Sequence, residues 1–236
     1  MTSEGFVVED GTIFYGRTFE EYCHLFDLGS GDLAGRRILD CPGGPGSFTA
    51  VAASVGETAT AVDPVYGPSA ETLAETCSET IADVVEQLEG KREAFDWSFY
   101  GDLDTRARYA RAAATRFLAD YARSRDRYVE AALPSLPFDA GAFDLVCSAN
   151  LLFLYDDRLD TEFHEAAAVE LARVAGTELR LAGLQSLSAE PSPFVEPVVA
   201  ALRRAGCTVE RREVPYRFQP GPTEVLVVRN VAAMGA

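Results

Sequence analysis

The residues whose type and spacing best suit chemistry are an acid followed by glycines and, a short way on, a second acid. Asp40-Cys41-Pro42-Gly43-Gly44-Pro45-Gly46 lies between two apolar segments, and Asp63 follows Asp40 by 23 positions. Glycine has no Cβ and lets a backbone approach a ligand closely, and the N–H groups that open a helix beyond such a turn need acceptors. A carboxylate beside the turn can accept hydrogen bonds from the hydroxyls of a ribose. Together these residues suit the holding of a nucleotide-like small molecule.

The elements that must position them are legible in the hydrophobic pattern. Residues 37–41 are an apolar run that reads as a buried strand, and 47–55, with Phe48, Val51, Ala52 and Val55 at helical spacing, reads as a helix, so the Gly/Pro segment is a tight strand-to-helix turn. Residues 58–62 form a second strand that ends at Asp63-Pro64. Before the turn, Phe19, Tyr22, Cys23, Leu25 and Phe26 make a helical stripe, with Thr18 as its N-cap and 29–31 as its stop.

Beyond Asp63, Ser69 can cap a long helix whose apolar stripe is Leu73, Cys77, Ile81, Val84 and Leu88, with Glu71, Glu75, Glu79 and Asp83 laddered on another face. A second helix, 105–124, carries Tyr109, Ala113, Phe117 and Tyr121 and is rich in arginine, including Arg106, Arg108, Arg111 and Arg116. Those arginines either relieve the acidic ladder or line a pocket for an anionic substrate. Between the two helices, 95–101 holds Phe95, Trp97, Phe99 and Tyr100, which read either as a satellite core or as a lid. Strands follow at 128–131, 143–147 and 178–182, and a helix marked by Leu159, Phe163, Ala167, Leu171 and Val174 is stopped by Gly176. A helix at 195–205 leads to two strands, 207–214 and 224–230, which form a terminal hairpin.

The glycine turn and Asp63 together resemble the class I S-adenosylmethionine-dependent methyltransferases. Residues 40–46 look like that family's acid-x-G-x-G-x-G loop, with Pro42 where its first glycine usually stands, and Asp63 looks like its ribose acid. The resemblance implies an α/β fold: a Rossmann-like, doubly wound, seven-stranded mixed sheet with an antiparallel C-terminal hairpin, helices on both faces and a helical insertion between strands 2 and 3. It covers most of 1–236 as a single domain, with 1–35 as an N-terminal cap segment and 66–127 as the inserted segment. It implies S-adenosylmethionine as cofactor, bound by Asp40, Cys41, Pro42, Gly43, Gly44, Asp63, Pro64, Ala132, Leu133, Ser148 and Asn150. Asp40 would orient the turn, Gly43 and Gly44 would receive the cofactor's amino-acid end, Asp63 its ribose and Leu133 its adenine.

Ala132 and Leu133 stand where the family usually has an acid followed by alanine, so adenine recognition falls to backbone groups and apolar contact. The cap segment would bring Tyr15 and Arg17 to the cofactor. The loop after the fourth strand lies where open α/β sheets place their ligands, so Asn150, Phe153 and Tyr155 are candidates for the reactive end. No residue stands out as a catalytic base; His164 and His24 read as boundary residues, a general base reaching past the helix being the alternative for His164.

Composition narrows the function classes. With 236 residues, 47% of them hydrophobic, the chain can bury one large core or two modest ones, a single α/β domain being the economical reading. A formal charge of −16 repels phosphate backbones and argues against nucleic-acid partners. No apolar run suits a membrane span and 1–10 is not built like a secretory signal, so the cytoplasm is expected. Five scattered cysteines without a C-x-x-C pair read as small buried hydrophobes, and no cluster has metal-ligand spacing. Lys91 is the only lysine among 21 basic residues, which with the acidic balance suggests adaptation to high salt, codon bias being the alternative.

The expectation is therefore an enzyme that methylates a small molecule. The alternatives are a non-catalytic S-adenosylmethionine-binding protein or partner subunit, and an NAD-dependent reductase. The last is disfavoured because 44–49 lacks the closing small residue of G-x-G-x-x-G/A and no Tyr-x-x-x-Lys pair exists. Acceptor and oligomeric state carry no motif.

Overall fold

From the N-terminus the chain runs through α1 (Phe19–Leu25), α2 (Ser30–Leu33), β1 (Arg37–Asp40), α3 (Phe48–Ser54), β2 (Thr58–Val62), α4 (Ala70–Glu89), α5 (Leu103–Tyr121), β3 (Tyr128–Val129), β4 (Phe143–Ala149), α6 (Thr161–Val174), β5 (Ala175–Ala182), α7 (Val195–Arg204), β6 (Thr208–Val214) and β7 (Thr223–Arg229). The structure, a computed structural model, describes residues 12–220 and 223–229. The readings made at 1–10 and at Gly221, Pro222 and Asn230 lie outside these residues.

One sheet holds all seven strands in the order β3-β2-β1-β4-β5-β7-β6. The first five are parallel and β7 inserts antiparallel between β5 and β6. The expected mixed sheet with its terminal hairpin is present, and α4 and α5 are the helical insertion between β2 and β3. Strand side chains alternate between faces. Leu39, Val146, Leu179 and Leu181 join the core with α6 and α7, whereas Ile38, Leu145 and Cys147 join the opposite one with α1 and α3.

The caps act as their chemistry dictates. The Thr18 hydroxyl accepts from Glu21 N and Glu21 answers at Thr18 N, a complete capping box. Ser69 caps α4, and its five predicted stripe residues are the buried ones; fully burying an aliphatic side chain contributes ~1.5–3 kcal/mol.

Several boundaries differ from the sequence reading. The first helix ends at Phe26, with Asp27 at φ 54°, and Gly29 opens the short α2 by donating to Asp32 Oδ2 at 2.7 Å rather than stopping a helix. α5 starts at Leu103, two residues before the expected 105, with Asp102 as its cap accepting from Thr105 N at 2.6 Å. β3 leaves the sheet after Val129 because the chain turns, with Ala132 bridging Ser135. Gly176 lies inside β5, where a Cβ would stand 3.1 Å from Gly141 O; close backbone approach rather than helix termination calls for glycine there.

Among the described residues no helix is long and apolar enough to cross a membrane.

Candidate active site

β1 has β2 on one side and β4 on the other, so the chain departs their carboxyl ends in opposite directions. That switch point is where open α/β sheets leave a crevice for ligands. A cavity of about 330 Å³ occupies it. Nine of the predicted cofactor residues line it: Cys41, Pro42, Gly43, Gly44, Asp63, Pro64, Ala132, Leu133 and Asn150.

Asp40 and Ser148 do not line the cavity. Asp40 is buried beneath the turn, where its Oδ1 accepts from the Tyr22 hydroxyl at 3.1 Å. Ser148 is sealed within β4.

The glycine turn is held from several sides. Gly43 N donates to Val62 O at 2.8 Å and Gly44 N to Asp63 Oδ2 at 3.0 Å, while Val65 N donates to Asp63 Oδ1 at 3.0 Å. The Tyr66 hydroxyl donates to Gly44 O at 2.6 Å. Gly44 sits at φ 49°, a conformation that favours glycine, and a Cβ on Gly43 would come within 2.6 Å of the Tyr66 hydroxyl and 2.8 Å of Ala61 Cβ.

The two glycine donors are thus spent inside the turn. What the glycines offer a ligand is close approach, not N–H groups. Asp63 keeps acceptor capacity, because a carboxylate has about four lone-pair sites and two backbone N–H groups occupy two of them.

The two acids differ in electrostatics. Burial pushes the Asp40 carboxyl well above its ordinary range, with the Tyr22 hydrogen bond opposing and the nearby Asp63 charge adding to the rise. Burial also raises Asp63, but the N–H groups of Val65 and Gly44 pull it back. Of the two, Asp63 is the one equipped to stay ionised.

The N-terminal segment lies over the turn. Ser47 N donates to Arg17 O at 2.9 Å and Phe19 N to Ser47 Oγ at 3.0 Å, and a Cβ on Gly16 would strike Pro45 O at 2.1 Å. Tyr15 and Arg17 border the cavity. Burial works against the Arg17 charge, but the oxygens of Tyr216 and Tyr100 and the Glu21 carboxylate outweigh it and raise its pKa.

Phe95, Arg106, Tyr216 and Phe218 line the same cavity as a second, aromatic arm. Phe95 stacks on Phe218 at 4.7 Å, and Tyr100 and Tyr216 share a hydroxyl contact at 2.8 Å. The 95–101 segment is thus packed against the β6–β7 connection, as the satellite-core reading expects, and Phe95 also borders the cavity.

Phe153 is buried in the core and does not reach the cavity. Tyr155 does, its hydroxyl accepting from Ile13 N at 2.8 Å. His164 is buried, stacked on Phe194 at 4.1 Å with Nδ1 against Asp160 O at 2.6 Å, and lies outside the cavity. Sequence reasoning missed Tyr66 and Phe218. Tyr66 stands three residues after Asp63 in an ordinary turn, with nothing local to mark it. Among the described residues no group of three His, Cys, Asp or Glu side chains comes together to hold a metal ion.

Strand order and the antiparallel β7 make the Rossmann-like, seven-stranded mixed sheet expected from the sequence, with a cavity at its β1–β4 switch point. No protein-family model matches the chain. Over 220 residues it is 28% identical to the uncharacterized protein MJ0045 of Methanocaldococcus jannaschii, a match spanning 93% of this chain and 96% of that protein. Among solved structures it is similar to magnesium protoporphyrin IX methyltransferase from Synechocystis PCC 6803 with bound SAM, at 15% identity over 84% of this chain and 72% of that one, with a TM-score of 0.46. It is also similar to the PH0226 protein from Pyrococcus horikoshii OT3, at 14% identity over 83% and 82% of the two chains, with a TM-score of 0.45.

Proposed function

We propose that the protein binds S-adenosylmethionine and transfers its methyl group to a small-molecule acceptor. The observation that carries this reading is the cavity at the β1–β4 switch point, bounded by the bare faces of Gly43 and Gly44 and by the fixed carboxylate of Asp63. Asp63 accepts from the ribose hydroxyls with its remaining lone pairs. Leu133, with Ala132 and Pro64, contacts the adenine. Arg17, tied through its backbone carbonyl to the start of the helix leaving the turn, supplies the cation for the methionine carboxylate, since the glycine N–H groups are already engaged.

Methyl transfer breaks the sulfonium S–CH3 bond as the acceptor atom forms its own bond to the methyl, in line. The protein's contribution is to hold the two at near-attack distance in a site that excludes water, and a base is needed only if the acceptor must lose a proton. Asn150 and Tyr155 border the cavity beyond β4 and shape that reactive end. Asn150 is held at φ 57° with a buried Nδ2 that has no partner among the described residues, a donor suited to an acceptor oxygen or nitrogen.

Calorimetric titration with S-adenosylhomocysteine tests the reading. Wild type binds, and Asp63→Ala weakens binding by at least ~10-fold while also losing ~2–4 kcal/mol of stability, because the Gly44 and Val65 N–H groups lose their acceptor. Absence of heat and of thermal shift with the wild-type protein overturns it.

A further inference from the structure

Arg106 is a buried cation without a carboxylate. It stands in the first turn of α5, is 7% exposed and lines the second arm of the cavity. Its Nη1 donates to the Tyr15 hydroxyl at 2.9 Å, and its Nε is buried with no partner. The guanidinium lies 4.2 Å from the Phe218 ring centroid, 4.8 Å from that of Tyr15 and 5.8 Å from that of Tyr100. Ten other arginines of the described residues have a carboxylate within ion-pair distance; Arg106 has none among the described residues.

Burying an ion costs several kcal/mol, which cation–π contacts worth ~0.5–2 kcal/mol do not cancel. A guanidinium also has five N–H donors, and one phenol oxygen satisfies one of them. The buried acid nearest this network, Glu21, is occupied: its Oε2 accepts from Thr18 N at 2.6 Å and from the Thr18 hydroxyl at 2.9 Å, and its Oε1 accepts from the Tyr100 hydroxyl. Arg106 therefore leaves the arm with a positive charge that no carboxylate of the described residues meets, inside a chain whose formal charge is −16.

We infer that the acceptor is a small anion, a carboxylate or phosphate on a flat apolar body, with its charge on Arg106 and its body against the wall that Phe95, Tyr216 and Phe218 form. Two oxygens of a carboxylate or a phosphate match the guanidinium fork, and charge-assisted hydrogen bonds of this kind are about twice as strong as neutral ones. The rings supply area for a planar body. This inference rests on the methyltransferase reading for the word acceptor; the anion site itself does not.

The test measures binding to the protein with and without S-adenosylhomocysteine. The probes are benzoate, trans-cinnamate and phenyl phosphate, each against a neutral partner: benzamide, cinnamamide and phenol. At least one anion is expected to bind ~10-fold or more tighter than its partner, and which one does so separates carboxylate from phosphate. Arg106→Met abolishes the preference and Arg106→Lys keeps part of it, with S-adenosylhomocysteine affinity unchanged in both.

Anions that bind no better than their neutral partners overturn the inference, as does a preference that survives in Arg106→Met. Loss of S-adenosylhomocysteine binding in Arg106→Met also overturns it, by making Arg106 a cofactor ligand. The wild-type comparison needs no variant to fold. If the anions discriminate while S-adenosylhomocysteine does not bind, the methyl-transfer reading fails and the anion site stands.

Discussion

The two ends of the cavity are built on opposite plans. At the glycine turn the polar groups answer one another: Gly43 N meets Val62 O, Gly44 N meets Asp63, Tyr66 meets Gly44 O, and Asp40 meets Tyr22. In the aromatic arm the central polar group, Arg106, is left largely unanswered. A satisfied network holds one geometry before any ligand arrives, so that binding costs little ordering; an unsatisfied buried charge instead selects the ligand that completes it. The turn is made for one invariant shape, and the arm for one sign of charge.

The comparison breaks most visibly at Gly43. Its backbone dihedrals are open to other residues, but a Cβ has no room against Tyr66 and Ala61, both buried. Gly43→Ala should cost ~1–3 kcal/mol as an overpacked site. It should also lower S-adenosylhomocysteine affinity by at least ~10-fold, since the turn must move away from Asp63. Anion binding by the arm should be untouched. Denaturant melts and the two titrations read these effects separately; equal losses at both ends would mean that the cavity is not divided as described.

A smaller effect separates the two acids of the turn. Burial raises the Asp40 carboxyl well above its ordinary value, so between the unfolded and folded pKa values the native state binds more protons than the unfolded chain. Its contribution is therefore fully present below the unfolded pKa, ~3.9, and is lost as pH rises through the folded value. Asp40→Asn lacks this loss, so its stability relative to wild type should climb as pH rises above ~4. Urea melts at several pH values check the slope. A difference that stays flat with pH would make Asp40 an ordinary ionised acid and remove the contrast with Asp63.

The fold was legible because its signals are local. The stripe of α4, the Thr18 and Ser69 caps, and strands ending at Asp40 and Asp63 are each written within a few residues. The glycine turn was legible for the same reason. What escaped is the set of pairings made only by the fold. Gly44 N turned onto Asp63 is a bond between two residues already singled out, but periodicity says nothing about which way an N–H points. Arg106 was one arginine of several on a basic helix until Tyr15, 91 positions earlier, and Phe218 from the β6–β7 connection closed around it. Asp40 had the sequence of a ligand-facing acid, but it lies beneath the turn against Tyr22.

The finest test of the contrast compares two tyrosines of one cluster. The Tyr66 hydroxyl donates to Gly44 O at 2.6 Å and that of Tyr121 to Pro68 O at 3.1 Å, and their rings lie 5.8 Å apart. Removing either hydroxyl deletes one hydrogen bond and leaves one carbonyl short, so Tyr66→Phe and Tyr121→Phe should each cost ~1 kcal/mol. Only Tyr66 steadies the turn that a cofactor lies against. Tyr66→Phe should therefore weaken S-adenosylhomocysteine binding several-fold, ~1 kcal/mol, with Tyr121→Phe unchanged. If the two variants bind alike, the rigidity of the turn does not depend on that hydroxyl, and the inward-facing N–H groups of Gly43 and Gly44 with Asp63 are enough to set the geometry.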